Sequence, residues 1–196
     1  RRLGAVRTPI HRCSVALTDG GRGEFFAKRE DLISDIYGGN KVRTLQHQLA
    51  VCEARIENAK TPDERAKAAN LVVVGTGGSN QVVATVAHAL QLGMPPVHVA
   101  WLQPDTPDLD NTLNFLSTLS LSQAGRRGHW GSPGPMLKDL VAATLGAGVV
   151  LPLGGNNPAG VLGQVGGLLE FAEQVRDHEA PDPERIYVAM GSACTM

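Results

Sequence analysis

The sequence predicts an α/β protein built on open, mostly parallel sheets with helices on both faces. Three observations support this prediction. Valine-rich apolar runs alternate with stretches of helical periodicity, glycine-rich loops follow the apolar runs, and the composition combines 23 glycines with only 4% aromatic residues. A continuous apolar run is typical of a strand buried on both faces of a parallel sheet. Loops that follow such strands gather at one edge of the sheet, where ligands bind.

The clearest unit begins with LVVVG at 71–75. TGGSN follows directly, and the apolar residues from Val82 to Leu90 have helical spacing before VHVAWL supplies another strand. This order predicts a βαβ unit. Upstream, an apolar stripe from Val42 to Ile56 predicts a helix that ends near Asn58.

Other segments give further predictions about the elements. Asn40 is a candidate N-cap for the helix of the Val42 stripe. Residues 25–28 are strand-like, and the polar stretch 60–70 is expected to face solvent. Two weaker helical patterns lie at 108–119 and 135–145.

The last part of the chain predicts one strong helix and one strand. Asn157 is a suitable cap and Pro158 suits a first helical position, and an apolar stripe then continues to Val175. RIYVAM at 185–190 predicts a final strand. A parallel strand needs a crossover helix to cover it, and so the chain is expected to be a C-terminally truncated fragment.

Charge and composition exclude several classes of partner and site. Eighteen basic and nineteen acidic residues give a formal charge of -1, which provides no basic field for nucleic acid or anionic lipid. Apolar runs fall short of the roughly 20 residues that span a membrane, and the first residues lack a secretory signal core. We therefore expect a cytoplasmic protein. The three cysteines form no CxxC pair and the six histidines no HExxH motif, which argues against a metal site.

Three loops combine glycine with reactive or polar side chains: YGGNK (37–41), GTGGSNQ (75–81) and GSACT (191–195). One such loop alone is usually only a turn. Neither of the last two matches GxGxxG or GxxxxGK[ST], so a dinucleotide or P-loop site is not favoured. Together, however, they suit one phosphorylated ligand, because helix N-termini and the Ser192 and Thr195 hydroxyls bind phosphate.

Longer motifs then carry a resemblance to a known family. FFAKREDLISDIYGGNKVRTL, the SNQ loop, LGGNNPAGVLGQV and YVAMGSACT occur in this order. They resemble the 1-aminocyclopropane-1-carboxylate (ACC) deaminase and D-cysteine desulfhydrase family, within the tryptophan-synthase-β-like fold type II pyridoxal phosphate enzymes. The resemblance covers nearly the whole chain outside about 103–134. It implies a large cofactor domain beginning with 1–43, a small α/β domain over 44–150 with the SNQ loop, and a return to the large domain over 151–196.

The resemblance also implies roles for individual residues. Lys41 would condense with the aldehyde of pyridoxal 5'-phosphate, and Asn80 would form a hydrogen bond with the ring oxygen of the cofactor. Ser79, Asn80 and Gln81 would bind the substrate, and Ser79 would also take part in ring opening. A free lysine has a pKa of about 10.4. Burial, nearby positive potential and a helix N-terminus would make Lys41 lose its proton more readily.

The phosphate would be held by the terminal loop, Gly191, Ser192, Ala193, Cys194 and Thr195. Two departures from the family pattern bear on the binding of the phosphate. The family often has a lysine three places after the cofactor lysine, where this sequence has Thr44, and so a positive partner for the phosphate is lost. Ala193 and Cys194 are expected to narrow the anion pocket.

The leading hypothesis is a lyase or deaminase that converts a small amino acid into a 2-oxo acid and ammonia, with Lys41 as base. D-cysteine desulfhydration, ACC ring opening and serine or threonine dehydration stay open. A non-catalytic homologue that binds the cofactor or a phosphometabolite is the alternative, and a phosphate-binding domain without the cofactor is a third. A homodimer is expected for the full-length protein and no activity for the fragment. His88 is expected on a helix surface.

Overall fold

The computed structural model describes residues 2–4, 7–76, 78–103, 109–121, 124–129, 134, 137–138, 141, 145, 148–189, 191 and 194. The strands are β1 (Ile10–Ala16), β2 (Arg22–Lys28), β3 (Leu71–Thr76), β4 (Val97–Gln103), β5 (Ala124–His129) and β6 (Val149–Leu151). The helices of the described part are α1 (Lys41–Glu57), α2 (Pro62–Ala68), α3 (Asn80–Gln91), α4 (Leu109–Leu121) and α5 (Pro158–Arg176). Short 3-10 turns cover Glu30–Leu32 and Leu153–Gly155.

A parallel four-stranded sheet, in the order β5-β4-β3-β6, organises the chain. Leu71 at the start of β3 pairs with Val97 of β4 on one side and with Val149 of β6 on the other. Because β3 is central, its residues Leu71, Val72 and Val73 are fully buried, as a continuous apolar strand requires. The predicted βαβ unit is confirmed as β3, α3 and β4.

The first part of the chain forms an antiparallel hairpin of β1 and β2. The strand-like stretch 25–28 is confirmed as the end of β2. β1 lies outside the sequence predictions, because most of its side chains stay exposed and its pattern therefore lacks a buried apolar face.

α1 follows the predicted apolar stripe, with Leu45, Leu49 and Cys52 buried, and it ends as expected before Asn58. The capping prediction for Asn40 is wrong. Its backbone is already helical (φ −55°, ψ −22°) and its side chain makes no capping hydrogen bond. The Val42 amide instead donates to the Gly39 carbonyl at 3.1 Å, so the glycine turn itself closes the start of the helix.

The cap of α5 is confirmed. The Asn157 side chain accepts a hydrogen bond from the Gly160 amide at 2.8 Å, and Pro158 occupies the first turn, where its missing amide proton costs nothing. α5 buries only part of its apolar stripe. Leu162, Leu168 and Leu169 are each more than half exposed in this chain.

The polar stretch 60–70 contains a helix that its composition did not predict. Thr61 and Glu64 form a capping box, in which the Glu64 amide donates to Thr61 Oγ1 at 3.2 Å and the Thr61 amide donates to Glu64 Oε2 at 3.2 Å. The sequence TPDE carries this signal, because Thr at the N-cap, Pro after it and Glu three places on is a helix start. Local capping thus forms α2 although none of its residues is buried.

The predicted final strand at 185–190 is wrong for its described residues. Residues 185–189 form no strand, and Ile186, Tyr187 and Val188 are 59%, 85% and 47% exposed. A strand is held by hydrogen bonds to a neighbour, and no strand of the described part pairs with this segment. The apolar pattern alone is therefore not enough to make this segment a strand.

The two weaker helical predictions differ in outcome. The pattern at 108–119 is confirmed by α4, which runs slightly further. The pattern at 135–145 lies mostly outside the described residues. Among the described helices, none has both the length and the apolar character that crossing a membrane requires.

A cluster of four charged side chains joins β2, α1 and α5. Lys28 Nζ donates to Glu170 Oε1 at 2.6 Å, and Arg43 donates to the same carboxylate at 2.9 Å and to Glu30 at 2.5 Å. The Thr8 hydroxyl donates to Glu30 Oε1 at 2.8 Å. The side chains of Arg43 and Glu170 are only 11% and 10% exposed, so each charge is partnered where water is scarce.

These contacts shift the pKa values of the cluster. Burial alone would raise the pKa of Glu170, but the hydrogen bonds from Arg43 and Lys28 outweigh it and lower the pKa to about 2. Burial opposes the charge of Arg43, yet its hydrogen bonds to Glu30 and Glu170 raise its pKa overall.

α1 and α5 also approach each other closely at a glycine. A Cβ atom at Gly163 of α5 would overlap the Arg43 carbonyl of α1, whereas one at Gly166 of the same helix would meet no atom within 4 Å. Gly163 therefore allows the two backbones to touch, and this contact places the start of α1 against α5.

We expect Gly163→Ala to lower the free energy of unfolding by about 2 kcal/mol, because the added methyl must push α1 away from α5. Gly166→Ala is the matched control and should raise it by up to about 1 kcal/mol, since alanine favours a helix. Urea unfolding of the two variants checks this. Equal stability of the two variants would show that the α1–α5 contact tolerates a side chain.

Glu170→Gln should lower the free energy of unfolding at neutral pH by about 3 kcal/mol, because two partly buried cations lose their shared anion. The folded pKa of about 2 lies below the ordinary value of 4.5, so the stabilisation is complete above pH 4.5 and is lost as the pH falls towards 2. The variant should therefore lose acid sensitivity in this window.

The matched control is Glu173→Gln, on the exposed side of the same helix. It should keep the acid sensitivity of the natural protein. Unfolding midpoints measured from pH 6 to pH 2 separate the two variants, and an unchanged profile in Glu170→Gln would contradict the role of the cluster.

Candidate active site

Lys41 is the first residue of α1, directly after the glycine turn. The turn is tight: the Gly39 amide donates to the Glu30 carbonyl at 2.8 Å, and a Cβ atom at Gly38 would overlap the Asp31 carbonyl. Lys41 Nζ reaches across to the next glycine turn and donates to the Gly154 carbonyl at 3.0 Å. The sequence prediction that this lysine opens a helix after a glycine turn is confirmed.

The Lys41 amine has a lowered pKa, mainly because burial disfavours its charged form. The Cys194 side chain opposes this shift by its charge interaction. A lysine with a lowered pKa carries more of the neutral amine at neutral pH, and the neutral amine is the form that attacks a carbonyl. Lys41 thus has the chemistry that its predicted role requires.

The turn that receives Lys41 is fixed by side chains of α1 and by the terminal loop. Gln48 Nε2 donates to the Gly155 carbonyl at 3.0 Å and to Asn157 Oδ1 at 2.9 Å, and Cys194 Sγ donates to the Gly155 carbonyl at 3.4 Å. Gly155 has φ +75°, and a Cβ atom there would overlap the Thr44 methyl group. Only glycine fits this position.

Gln164 of α5 holds the start of α1. Its Nε2 donates to the Asn40 carbonyl at 2.8 Å and to Thr44 Oγ1 at 2.8 Å. Thr44 is fully buried, so its hydroxyl belongs to the contact between α1 and α5. Because Asn40 and Thr44 flank Lys41 on the first turn, Gln164 fixes the direction from which the Lys41 side chain leaves the helix.

The predicted SNQ loop lies at the start of α3, and its three side chains point to different surroundings. Ser79 is the N-cap residue, with an extended backbone and no side-chain capping bond, and Asn80 is exposed. Gln81 is 1% exposed, and its Nε2 lies 3.4 Å from both Gln48 Oε1 and Thr85 Oγ1. Gln81 therefore faces the contact between α1 and α3. Its role in substrate binding, like that of Ser79 and Asn80, stays a prediction.

The third loop is only partly described. Gly191 is exposed and Cys194 is buried, with its Sγ 3.8 Å from Thr44 Oγ1. The predictions for Ser192, Ala193 and Thr195 fall outside the described residues. Cys194 nevertheless brings this loop to the start of α1, beside the turn that receives Lys41.

The structure therefore brings together residues of all three predicted loops. Tyr37 of the first loop donates from its hydroxyl to Asn80 Oδ1 of the second at 2.8 Å. The sequence predictions missed the glutamines that hold this arrangement, Gln48 and Gln164. The signal for Gln48 was present, since a glutamine inside the apolar stripe of α1 has to be buried and needs polar partners.

Known proteins resemble this chain in sequence and in fold. The family model described as "Pyridoxal-phosphate dependent enzyme" matches residues 2–196. A D-cysteine desulfhydrase from Serratia proteamaculans (strain 568) is 32% identical over 194 residues, which cover 96% of this chain and 55% of that protein. The chain thus spans about half the length of the curated relative that it matches.

Two solved structures have a similar fold. One, described as an ACC deaminase homologue, matches with a TM-score of 0.58 and 24% identity over 88% of this chain and 50% of that chain. The other, a hydrogen sulfide-producing enzyme from Fusobacterium nucleatum, gives a TM-score of 0.54 and 13% identity over 90% and 51%. At these identities they show the fold alone, and they confirm the predicted fold class.

The resemblance drawn from the motifs is also confirmed, because the family model and the D-cysteine desulfhydrase relative both agree with it. The family model extends over almost the entire sequence, including Lys41 and the glycine turns around it. The chain belongs to the pyridoxal-phosphate dependent enzyme family.

Proposed function

We propose that the whole protein is a pyridoxal-phosphate-dependent lyase or deaminase that converts a small amino acid into a 2-oxo acid and ammonia. The substrate would be of the D-cysteine desulfhydrase or ACC deaminase type. The observation that carries the proposal is Lys41, a half-buried amine with a lowered pKa at a helix N-terminus, in a chain of this cofactor family. The D-cysteine desulfhydrase relative supports the substrate class.

The donor set of the site fits the cofactor. Pyridoxal phosphate needs an amine for its aldehyde and hydrogen-bond donors for its ring oxygen and phosphate. Lys41 supplies the amine, and Asn80 presents an exposed carboxamide that contacts Tyr37 of the same glycine loop as Lys41. The starts of α1 and α3 add backbone amides whose partial positive charge suits an anion.

When bound, pyridoxal phosphate supplies an electron sink for the bond that breaks. The residues of the chain orient the substrate and move the proton. Lys41 Nζ would take a proton from the substrate carbon, and the Gly154 carbonyl would hold the resulting ammonium by the contact that it already makes. Burial lowers the pKa of Lys41, so this proton is also easily returned.

Ser79, Asn80 and Gln81 would bind the substrate at the start of α3, with Ser79 as the group that takes part in ring opening. The partial positive charge of a helix N-terminus suits a carboxylate. The loop from Gly191 to Thr195 would hold the phosphate, with Cys194 as its described contact to the turn at Gly155.

The family to which the chain belongs binds small amino-acid substrates. We propose further that the protein acts in amino acid catabolism in the cytoplasm and as a homodimer when full length, without nucleic acid or membrane partners. The division into 1–43, 44–150 and 151–196 is likewise proposed. No comparison favours the non-catalytic alternative.

Borohydride reduction of the full-length protein with pyridoxal phosphate should place one stable adduct on Lys41, as read by peptide mass spectrometry. Lys41→Ala should lose the adduct and lower the release of ammonia from D-cysteine or ACC by about a hundredfold or more, because the proton-transfer group is gone. Lys67→Ala, on the exposed helix α2, is the matched control and should keep both.

Each other outcome has a definite meaning. The absence of an adduct at Lys41 in the natural protein would overturn the proposal. An adduct without a 2-oxo acid product from D-cysteine, ACC, serine or threonine would support the non-catalytic carrier instead.

A further inference from the structure

Two side chains from other parts of the fold form hydrogen bonds with the Asn80 side chain. The Tyr37 hydroxyl shares its proton between Asn80 Oδ1 at 2.8 Å and Asn114 Oδ1 at 3.1 Å, and Asn114 Nδ2 of α4 donates to Asn80 Oδ1 at 2.7 Å. Asn114 Nδ2 also donates to the Gly78 carbonyl at 3.1 Å. The glycine turn before α1, the start of α3 and the middle of α4 thus meet at one oxygen atom.

This network determines which way the Asn80 amide points. The Gly78 carbonyl can only accept, so the Asn114 atom that faces it is the NH2 group. That group faces Asn80 as well, which makes the facing Asn80 atom the oxygen. The Asn80 NH2 group therefore points the opposite way, out of the cluster. A backbone carbonyl, which cannot be flipped, fixes both side-chain amides.

The backbone of Tyr37 is held by a histidine of α3. His88 Nε2 of α3 lies 3.1 Å from the Tyr37 carbonyl, and since a carbonyl only accepts, Nε2 carries the proton. His88 Nδ1 is buried without a hydrogen-bond partner in the described part of the chain. The expectation of a surface position for His88 is wrong, since the residue is fully buried. Burial raises the pKa of the Tyr37 hydroxyl, which therefore remains a donor at neutral pH.

Asn114 reaches the loop because Gly78 lets α4 approach. Gly78 has φ +83°, and a Cβ atom there would overlap the backbone of Asn111 on α4. The α4 backbone thus rests directly on the loop that precedes α3, which places Asn114 one turn further along, over Asn80.

We propose that Tyr37 and Asn114 are positioning residues that turn the Asn80 NH2 group toward the ring oxygen of the cofactor. This inference rests on the proposed function, in which Asn80 contacts that oxygen. A ring oxygen is an acceptor, so an Asn80 amide in the opposite orientation would face it with a second acceptor. Tyr37 and Asn114 thus determine whether Asn80 presents a donor or an acceptor to the ring oxygen of the cofactor.

Asn114→Asp provides the sharpest test because it keeps the shape of the side chain and removes its donors. A carboxylate only accepts, so Asn80 would turn its NH2 group toward position 114 and its oxygen toward the cofactor. Tyr37→Phe removes one donor and keeps the ring. Matched controls are Ser117→Ala, whose hydroxyl donates to the Leu113 carbonyl of its own helix, and Tyr187→Phe, at a residue that is 85% exposed.

The readouts are the dissociation constant for pyridoxal phosphate and the pH midpoint of the visible absorption band of the full-length holoenzyme. Asn80→Ala sets the reference for a lost donor. Asn114→Asp should weaken cofactor binding about tenfold and Tyr37→Phe about threefold, and both should shift the midpoint in the direction that Asn80→Ala does. The controls should match the natural protein, and ammonia release is a secondary measurement.

The outcomes separate this inference from the proposed function. If the natural protein bound pyridoxal phosphate but both variants kept its affinity and midpoint, the positioning role would be overturned while the proposed function stood. If affinity fell without a midpoint shift, the two residues would only support the fold, which also contradicts the inference. If the natural protein bound no cofactor, the proposed function would fail first. Thermal unfolding of each variant shows which of them are folded.

Discussion

The contact between α1 and α5 determines where the side chains of the candidate site lie. Gly163 lets the two helices touch at the Arg43 carbonyl, and Gln164, the next residue, then reaches the first turn of α1. The same helix pair brings the Gly154 turn under the Lys41 amine. A lysine on an exposed helix surface would keep its ordinary proton affinity. Here the packing of two helices places that amine where burial lowers its pKa.

The charged cluster near this contact orients the glycine turn and α5 more than it stabilises the fold. Four charged side chains in a poorly solvated place carry a desolvation cost that their pairing only offsets, and apolar residues would pack there at no such cost. The cluster instead fixes the position of the glycine turn relative to α5. Arg43 binds Glu30 beside the glycine turn and Glu170 of α5 at the same time, so it ties the turn before Lys41 to the helix that holds the other side.

The sequence predicted the parts of the fold that depend on local pattern. The apolar run of β3, the stripe of α1 and the Asn157 cap each specify a structure through neighbouring residues, and each was confirmed. The missed features need distant partners. The segment at 185–189 has strand-like residues but pairs with no strand among the described residues, and buried His88 finds its partner in the carbonyl of Tyr37, 51 residues away. Lys41 itself was found from a motif, whereas Gln164 and Asn114 become visible only once the helices are packed.

Of the expected causes of the lowered pKa of Lys41, burial is confirmed as the main one. Nearby positive potential was a second expected cause, and Arg43 lies two residues away. The structure instead pairs Arg43 with two carboxylates, and the causes acting on Lys41 are burial and an opposing interaction with Cys194. Position 44, where the family often has lysine, holds a threonine that is buried against Gln164. A lysine ammonium placed there would have to be desolvated beside Gly155 and Cys194. Partial burial, and not a neighbouring cation, is therefore the main cause of the lowered pKa of Lys41.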